Sequence, residues 1–194
     1  HARLFHLHVI LLGFVTMAMI GATHRLLPII LNAELYSPPL ARLVMVVLPA
    51  GFAILIGGFL TSSLRLELAI GGLLVLSIGL YAYNLLRTWV GSGHPGNAAS
   101  DHLVVATFFL VLMMSMGVLV GANFLPQLPV LTFGSLHLAA YTHMALIGFI
   151  LQTVLGALSH GIPEILATSR VASRKKQGPY RDQLAAIMDR WRAV

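Results

Sequence analysis

Two histidines occupy the same place in two copies of one 21-residue pattern. The copies are His8 to Pro28 (HVILLGFVTMAMIGATHRLLP) and His143 to Pro163 (HMALIGFILQTVLGALSHGIP), and they match at seven positions without a gap. The matched pairs are His8 and His143, Leu11 and Leu146, Gly13 and Gly148, Phe14 and Phe149, Gly21 and Gly156, Ala22 and Ala157, and Pro28 and Pro163. A histidine inside a bilayer is costly and usually functional. We therefore interpret His8 and His143 as ligands of a cofactor. The alternative is that each imidazole only bonds a carbonyl or hydroxyl of a neighbouring helix.

The sequence of each copy predicts a membrane helix with two different faces. At about 100° per residue, with the histidine at 0°, the two glycines of a copy fall near about 140° and about 220°. Glycines on a membrane helix let another backbone approach closely. The pattern therefore predicts a closely packed glycine face and, roughly opposite, a histidine face that is free to meet a ligand.

The composition predicts an all-α, polytopic membrane helix bundle. The chain is 58% hydrophobic and 9% charged, and about 20 apolar residues suffice to cross the hydrocarbon core. Five apolar runs are long enough, near 4–31, 40–61, 66–88, 102–124 and 134–160. The repeat helices are then the first and the fifth, which run parallel and place both histidines at similar depth, as two axial ligands of one flat cofactor require. The chain has no cysteine, which excludes disulfides, thiolate metal sites and haem attachment through CxxCH.

The basic residues predict the orientation of the bundle. Seven of the twelve Lys and Arg residues lie in the last 25 positions, after the final apolar run. This distribution is typical of a cytoplasmic flank and argues against nucleic acid as a partner. With the N-terminus outside and the C-terminus in the cytoplasm, ten basic residues lie inside and two outside. We expect a transmembrane, cofactor-binding bundle over 1–163 and a basic cytoplasmic tail over 164–194. In the tail, Gly178 and Pro179 should break the chain before a short amphipathic helix from Arg181 onward.

Other histidines are weaker candidates for ligands. His24 and His160 follow the repeat histidines by 16 and 17 residues, at angles of about 160° and about 260° from them. Neither shares the face of its repeat histidine, and both are expected at the inner headgroups, although a second cofactor site there stays open. His6 and His137 are further candidates near the starts of the two helices. His94 and His102 flank a polar connection and are expected to be solvated.

The second copy, with Tyr141-Thr142-His143 ahead of MALIGFILQTVLGALSHGIP, resembles the tenth helix of the haem-copper oxidase catalytic subunit. The cbb-type oxidases and nitric oxide reductases are the branch it is most similar to. In that family, the second histidine of an H-x-H motif binds the low-spin haem and corresponds to His143. The first histidine binds the high-spin haem, and Tyr141 stands in its place. The first copy, within ARLFHLHVILLGF, resembles the family's second helix, which supplies the other low-spin ligand. That ligand corresponds to His8, with His6 as the alternative.

The resemblance implies a reduced relative that keeps a low-spin haem and lacks the catalytic centre. This chain has fewer spans than the family's catalytic subunit and no three further intramembrane histidines for a copper ion. The implied protein is a membrane b-type cytochrome subunit of the bacterial inner membrane, a non-catalytic part of an oxidoreductase complex. It would hold one haem b, or two if His24 and His160 also bind. Implied partners are the bilayer, other subunits of a membrane redox complex or a periplasmic redox protein, and quinol. The alternatives are a haem- or metal-handling transporter or sensor, and a structural subunit without a cofactor.

Overall fold

A computed structural model describes residues 5–125, apart from residue 7, and residues 134–190. All regular structure in these ranges is helical, and five helices are long and apolar enough to span a membrane. The helices are α1 (Val9–Leu31), α2 (Pro38–Thr61), α3 (Leu64–Gly91), α4 (Ala98–Ala122), α5 (Gly134–His143, Met144–Leu151 and Gln152–Arg170, in sequence) and α6 (Arg174–Asp189). The prediction of an all-α bundle with five spans is confirmed. Residues 191–194, the end of the predicted tail helix, lie outside the described residues.

The five spanning helices form one bundle with α1 against all the others. Helices α2 to α5 pack against one another in chain order, and α1 contacts each of them. The core is built from large apolar side chains, among them the fully buried Ile20 of α1 and Leu110 of α4. The amino-terminal part of α1 packs against α2.

The two copies of the repeat share an unusual backbone geometry. Residues Val9–Thr16 and Met144–Leu151 are both π-helical, and they occupy identical positions directly after His8 and His143. In the first copy, the Thr16 hydroxyl donates to the Leu11 carbonyl five residues earlier, at 2.8 Å. π-helical turns are rare and occur often at functional sites. The repeat therefore extends from the sequence to the backbone conformation.

The π-helical turn changes which residues share a face of α1. One extra residue in a turn shifts every later side chain by about 100° relative to an uninterrupted α-helix. The angle between His8 and His24 therefore falls from about 160° to about 60°, and both side chains turn inward. Both ring nitrogens of His24 are buried, and its ring meets the Tyr81 ring edge-on with centroids 5.0 Å apart. His24 is thus half-buried against α3 and faces the neighbouring helices of the bundle.

The prediction of a closely packed glycine face holds for the first glycine of each copy, whereas Gly21 has only an ordinary contact with Met45, at 3.6 Å from an added Cβ. Gly13 of α1 receives the Phe52 ring of α2, so that an added Cβ would lie 2.6 Å from a ring carbon. The equivalent Gly148 of α5 receives the Phe109 ring of α4 in the same way. Each copy of the repeat thus packs an aromatic ring of the adjacent helix onto its first glycine.

Gly156→Val is expected to lower the free energy of unfolding by about 1–3 kcal/mol, the usual cost of overpacking. An added Cβ at Gly156 would lie 2.9 Å from the Ala99 carbonyl oxygen, a backbone atom that cannot rotate away. The control is Gly161→Val in the same helix, where an added Cβ meets nothing within 4 Å. Denaturant unfolding in detergent compares the two variants. Equal losses would contradict the packing argument.

The tail differs from the prediction. Helix α5 continues past Pro163 to Arg170, and α6 begins at Arg174, so Gly178 and Pro179 lie inside a helix. The predicted break at these two residues is wrong. The amides of residues 176 and 177 already bond the Ser173 carbonyl, at 2.9 and 3.2 Å, so the helix is established before the proline. Pro179 removes one backbone bond, and its surroundings are exposed, so water can bind the carbonyl that it leaves.

Helix α6 is attached to the end of the bundle opposite His8. The Ala98 amide, at the start of α4, donates to Asp189 Oδ1 at 2.8 Å. Arg181 lies 3.5 Å from Glu164 of α5, but both side chains are about half exposed, so this ion pair adds little stability. Its hydrogen bond to Asp182, and to a smaller extent the charge of Glu164, raise the pKa of the Arg181 guanidinium. The tail helix therefore packs on the bundle mainly through its last turn and α5.

Candidate functional site

A cavity of about 560 Å³ lies at the His8 end of the bundle, and all five spanning helices line it. We call it the His8 cavity. Its walls are mostly apolar, and its titratable lining residues are His8, Glu67 and Tyr141. The volume lies within the range of about 300–1,000 Å³ that is typical of ligand sites. The lining comes from the starts of α1, α3 and α5 and the ends of α2 and α4. The helices therefore alternate in direction, and α1 and α5 are parallel as expected.

Glycines keep the walls of the cavity close together. The Tyr141 ring of α5 packs against Gly117 of α4, where an added Cβ would lie 3.1 Å from a ring carbon. Gly121, one turn further along α4, receives the Leu68 side chain of α3 at the same distance. Small residues at helix contacts are typical of membrane bundles. Here Gly117 and Gly121 make room for the bulky side chains of Tyr141 and Leu68 in the lining of the cavity.

His8 is placed at this cavity, as expected of a ligand. The side chain is half-buried, and its ring lies beside the Phe59 ring of α2, with centroids 4.9 Å apart and an angle of 51° between the planes. The start of the π-helical turn directly after His8 sets the direction of this part of α1. An imidazole against an apolar wall can bind a metal or a hydrogen-bonding ligand.

His143 is placed differently from His8. Its side chain is exposed, and Nδ1 lies 2.8 Å from the Ala139 carbonyl oxygen in the preceding turn of the same helix. Tyr141 lines the His8 cavity, whereas His143 does not. Two residues apart on a helix, the side chains point about 200° from each other. The structure thus brings His8 together with Tyr141 and leaves His143 outside the lining.

Glu67 is a member of the site that the sequence analysis missed. It lies in the first turn of α3 and lines the His8 cavity. Its Oε1 atom is buried and has no hydrogen-bond partner among the residues that the structure describes. A signal was present, because Glu67 is a carboxylate inside the third predicted span and ionisable residues in membrane spans are usually functional.

The remaining candidate histidines are dispersed. His6 is exposed and His137 is half-buried, and neither lines the His8 cavity. His160 lines a second cavity of about 470 Å³ at the opposite end, together with His94 and residues of α6. His24 does not line that cavity, so the structure does not bring His24 and His160 together in one site.

His102 belongs to the bundle rather than to the solvent. Its Nδ1 lies 2.6 Å from Oε1 of Gln152, so the pair joins α4 to α5. The expectation that His102 is solvated is therefore wrong. In the described part of the chain, no three His, Cys, Asp or Glu residues come close enough to hold a metal ion together.

The residues of the His8 cavity suit one face of a haem, because they include one imidazole that could bind the iron. The apolar walls, the imidazole of His8 and the unpaired carboxylate oxygen of Glu67 suit a flat, largely apolar cofactor with a charged centre. The second imidazole of a bis-histidine site is not in the lining. The chain matches no protein-family model, no curated protein and no solved structure.

Proposed function

We propose that the chain is a b-type cytochrome subunit of a membrane electron-transfer complex, with His8 and His143 as axial ligands of one low-spin haem. The observation that carries this proposal is the His8 cavity, an apolar space with an imidazole in its wall at the start of a repeated helix. The repeat supports His143 as the second ligand, since the same π-helical segment follows both histidines.

The side chains of the cavity would have distinct tasks. A ring nitrogen of His8 would bind the iron, and Phe59 would limit the orientations of that imidazole. The apolar walls would exclude water from the cofactor. Bis-histidine ligation leaves the iron without an open position, which suits electron transfer rather than substrate chemistry. The positive-inside rule puts the His8 end outside, so the redox partner would be a periplasmic protein or another membrane subunit, and quinol is a candidate donor.

The test is a reduced-minus-oxidised absorption spectrum of the purified protein with a pyridine haemochrome assay. We expect sharp low-spin bands and about one haem b per chain, since the proposal assigns His8 and His143 to a single iron. Two haems per chain would add a second site and direct attention to His24 and His160. A folded, native preparation without haem would refute the proposal.

A second candidate function is haem handling, in which the protein binds haem weakly and passes it on. The exposed position of His143 favours it, because a single imidazole holds haem less firmly than two. Transfer of haem to an excess of a soluble haem-binding protein separates the two functions. A cytochrome subunit retains its haem over hours, whereas a haem-handling protein loses it within the mixing experiment.

A further inference from the structure

Among the residues that the structure describes, Glu67 is the only acidic one in the lining of the His8 cavity, and none of the lining residues is Lys or Arg. Its Oε1 atom is buried without a hydrogen-bond partner among the described residues. Glu67 as a whole is half-buried, but a buried polar atom without a partner is costly and calls for an explanation such as an absent ligand. The missing partner should therefore come from the ligand of the cavity.

We propose that Glu67 is the anionic partner of the haem in the His8 cavity and stabilises its ferric state over its ferrous state. This inference rests on the proposed haem. The ferric centre carries one more positive charge than the ferrous centre, so a nearby carboxylate attracts the oxidised form more strongly. The attraction is stronger beside a mostly apolar wall than in bulk water, because the effective dielectric constant is lower there. Charge and burial around a haem are among the levers by which a protein sets its potential.

A packing role for Glu67 makes a different prediction. The Cγ atom of Glu67 lies against Gly58 of α2, where an added Cβ would be 3.0 Å away. If Glu67 served only this contact, glutamine would replace it without consequence, because glutamine has the same shape. If the charge matters, glutamine changes the redox preference of the site and leaves the packing intact.

The experiment compares the affinity of the cofactor-free protein for ferric and for chemically reduced haem. In Glu67→Gln we expect the preference for ferric haem to fall about tenfold relative to the wild type, which corresponds to a rise of about 59 mV in midpoint potential for a one-electron couple. Glu67→Ala also removes the charge and should shift the preference in the same direction. Glu67→Asp keeps the charge and should stay close to the wild type.

The control is Glu34→Gln, the same chemical change at an exposed position in the connection between α1 and α2, which should leave the ratio unchanged. An unchanged ratio in Glu67→Gln with haem bound would overturn the role of Glu67 and leave the proposed function standing. An equal shift in Glu67→Asp would also overturn it, since shape rather than charge would then be responsible. Failure of the wild type to bind haem in either state would refute the proposed function and this inference with it.

Discussion

His8→Ala is expected to abolish the low-spin haem bands while the bundle stays folded. His8 is the histidine in the described lining of the His8 cavity, so its loss removes the proposed iron ligand. The side chain is only half-buried, so truncation should leave the packing of the core largely intact. Absorption spectra of the purified variant, with circular dichroism to confirm the helical content, give the measurement.

Two further variants make this result specific. His6→Ala changes an exposed histidine two residues earlier and should keep the bands. His143→Ala decides between the two functions: loss of the bands indicates a bis-histidine cytochrome, and retention of haem indicates a site with one imidazole. Low-spin bands that persist in both His8→Ala and His143→Ala would refute the assignment of these residues as ligands.

Asn84→Leu is expected to lower the free energy of unfolding by about 2–4 kcal/mol. It leaves the Ser37 amide without a partner, at about 1–3 kcal/mol, and removes one of the two hydrogen bonds to the Ser37 carbonyl, at about 0.5–1.5 kcal/mol, while the Ala41 amide keeps the other. Asn84 of α3 is fully buried. Its Oδ1 accepts from the Ser37 amide at 2.9 Å, and its Nδ2 donates to the Ser37 carbonyl at 3.1 Å. These bonds fix the connection between α1 and α2 to α3. Leucine has a similar size but can form neither bond.

A graded comparison tests this explanation. The Tyr36 amide donates to Thr88 Oγ1 at 3.0 Å, one turn further along α3. Thr88→Val removes this single acceptor, so its effect on the free energy of unfolding should be smaller than that of Asn84→Leu, which removes two bonds. Denaturant unfolding of both variants in the same detergent gives the comparison. A loss from Asn84→Leu no larger than that from Thr88→Val would contradict the two-bond account.

The spans and the glycine faces could be predicted because they depend on local properties. Hydropathy over about 20 residues identifies a membrane helix whatever its neighbours are. Gly13 and Gly148 mark close approaches because a residue without a side chain lets a neighbouring group pack against the backbone. The end of α5 is less predictable, since the apolar run stops near residue 160 and a proline follows at position 163. The helix continues to Arg170 because a proline removes one bond and does not by itself end a helix with favourable tertiary contacts.

The composition of the site could be predicted only in part. His8 was found from the repeat. Placing Tyr141 rather than His143 in the cavity depends on the rotation of α5 about its axis, which the packing of the whole bundle decides. The π-helical turns have no simple sequence signal, yet they displace every later residue around α1, including His24. The bond between His102 and Gln152 likewise joins residues that are 50 positions apart.

Glu67 is a single residue of the site, and a pattern of paired residues in a repeat does not identify it. The repeat draws attention to paired histidines, and Glu67 has no equivalent in that repeat. Its burial without a partner becomes visible only when α2, α3 and the cavity are seen together. The general rule that ionisable residues in a membrane span are functional would have been the better guide at this position.

The bond between Asp189 and the Ala98 amide constrains the order in which the protein is completed. The two residues are 91 positions apart, and synthesis proceeds at about 5–20 residues per second. During synthesis, the Ala98 amide at the start of α4 therefore lacks its acceptor Asp189 for about 5–20 s. During that interval water must take the place of Asp189, and the second cavity is still open on the side that α6 later covers. The bundle thus closes at this end only after its last helix has been made.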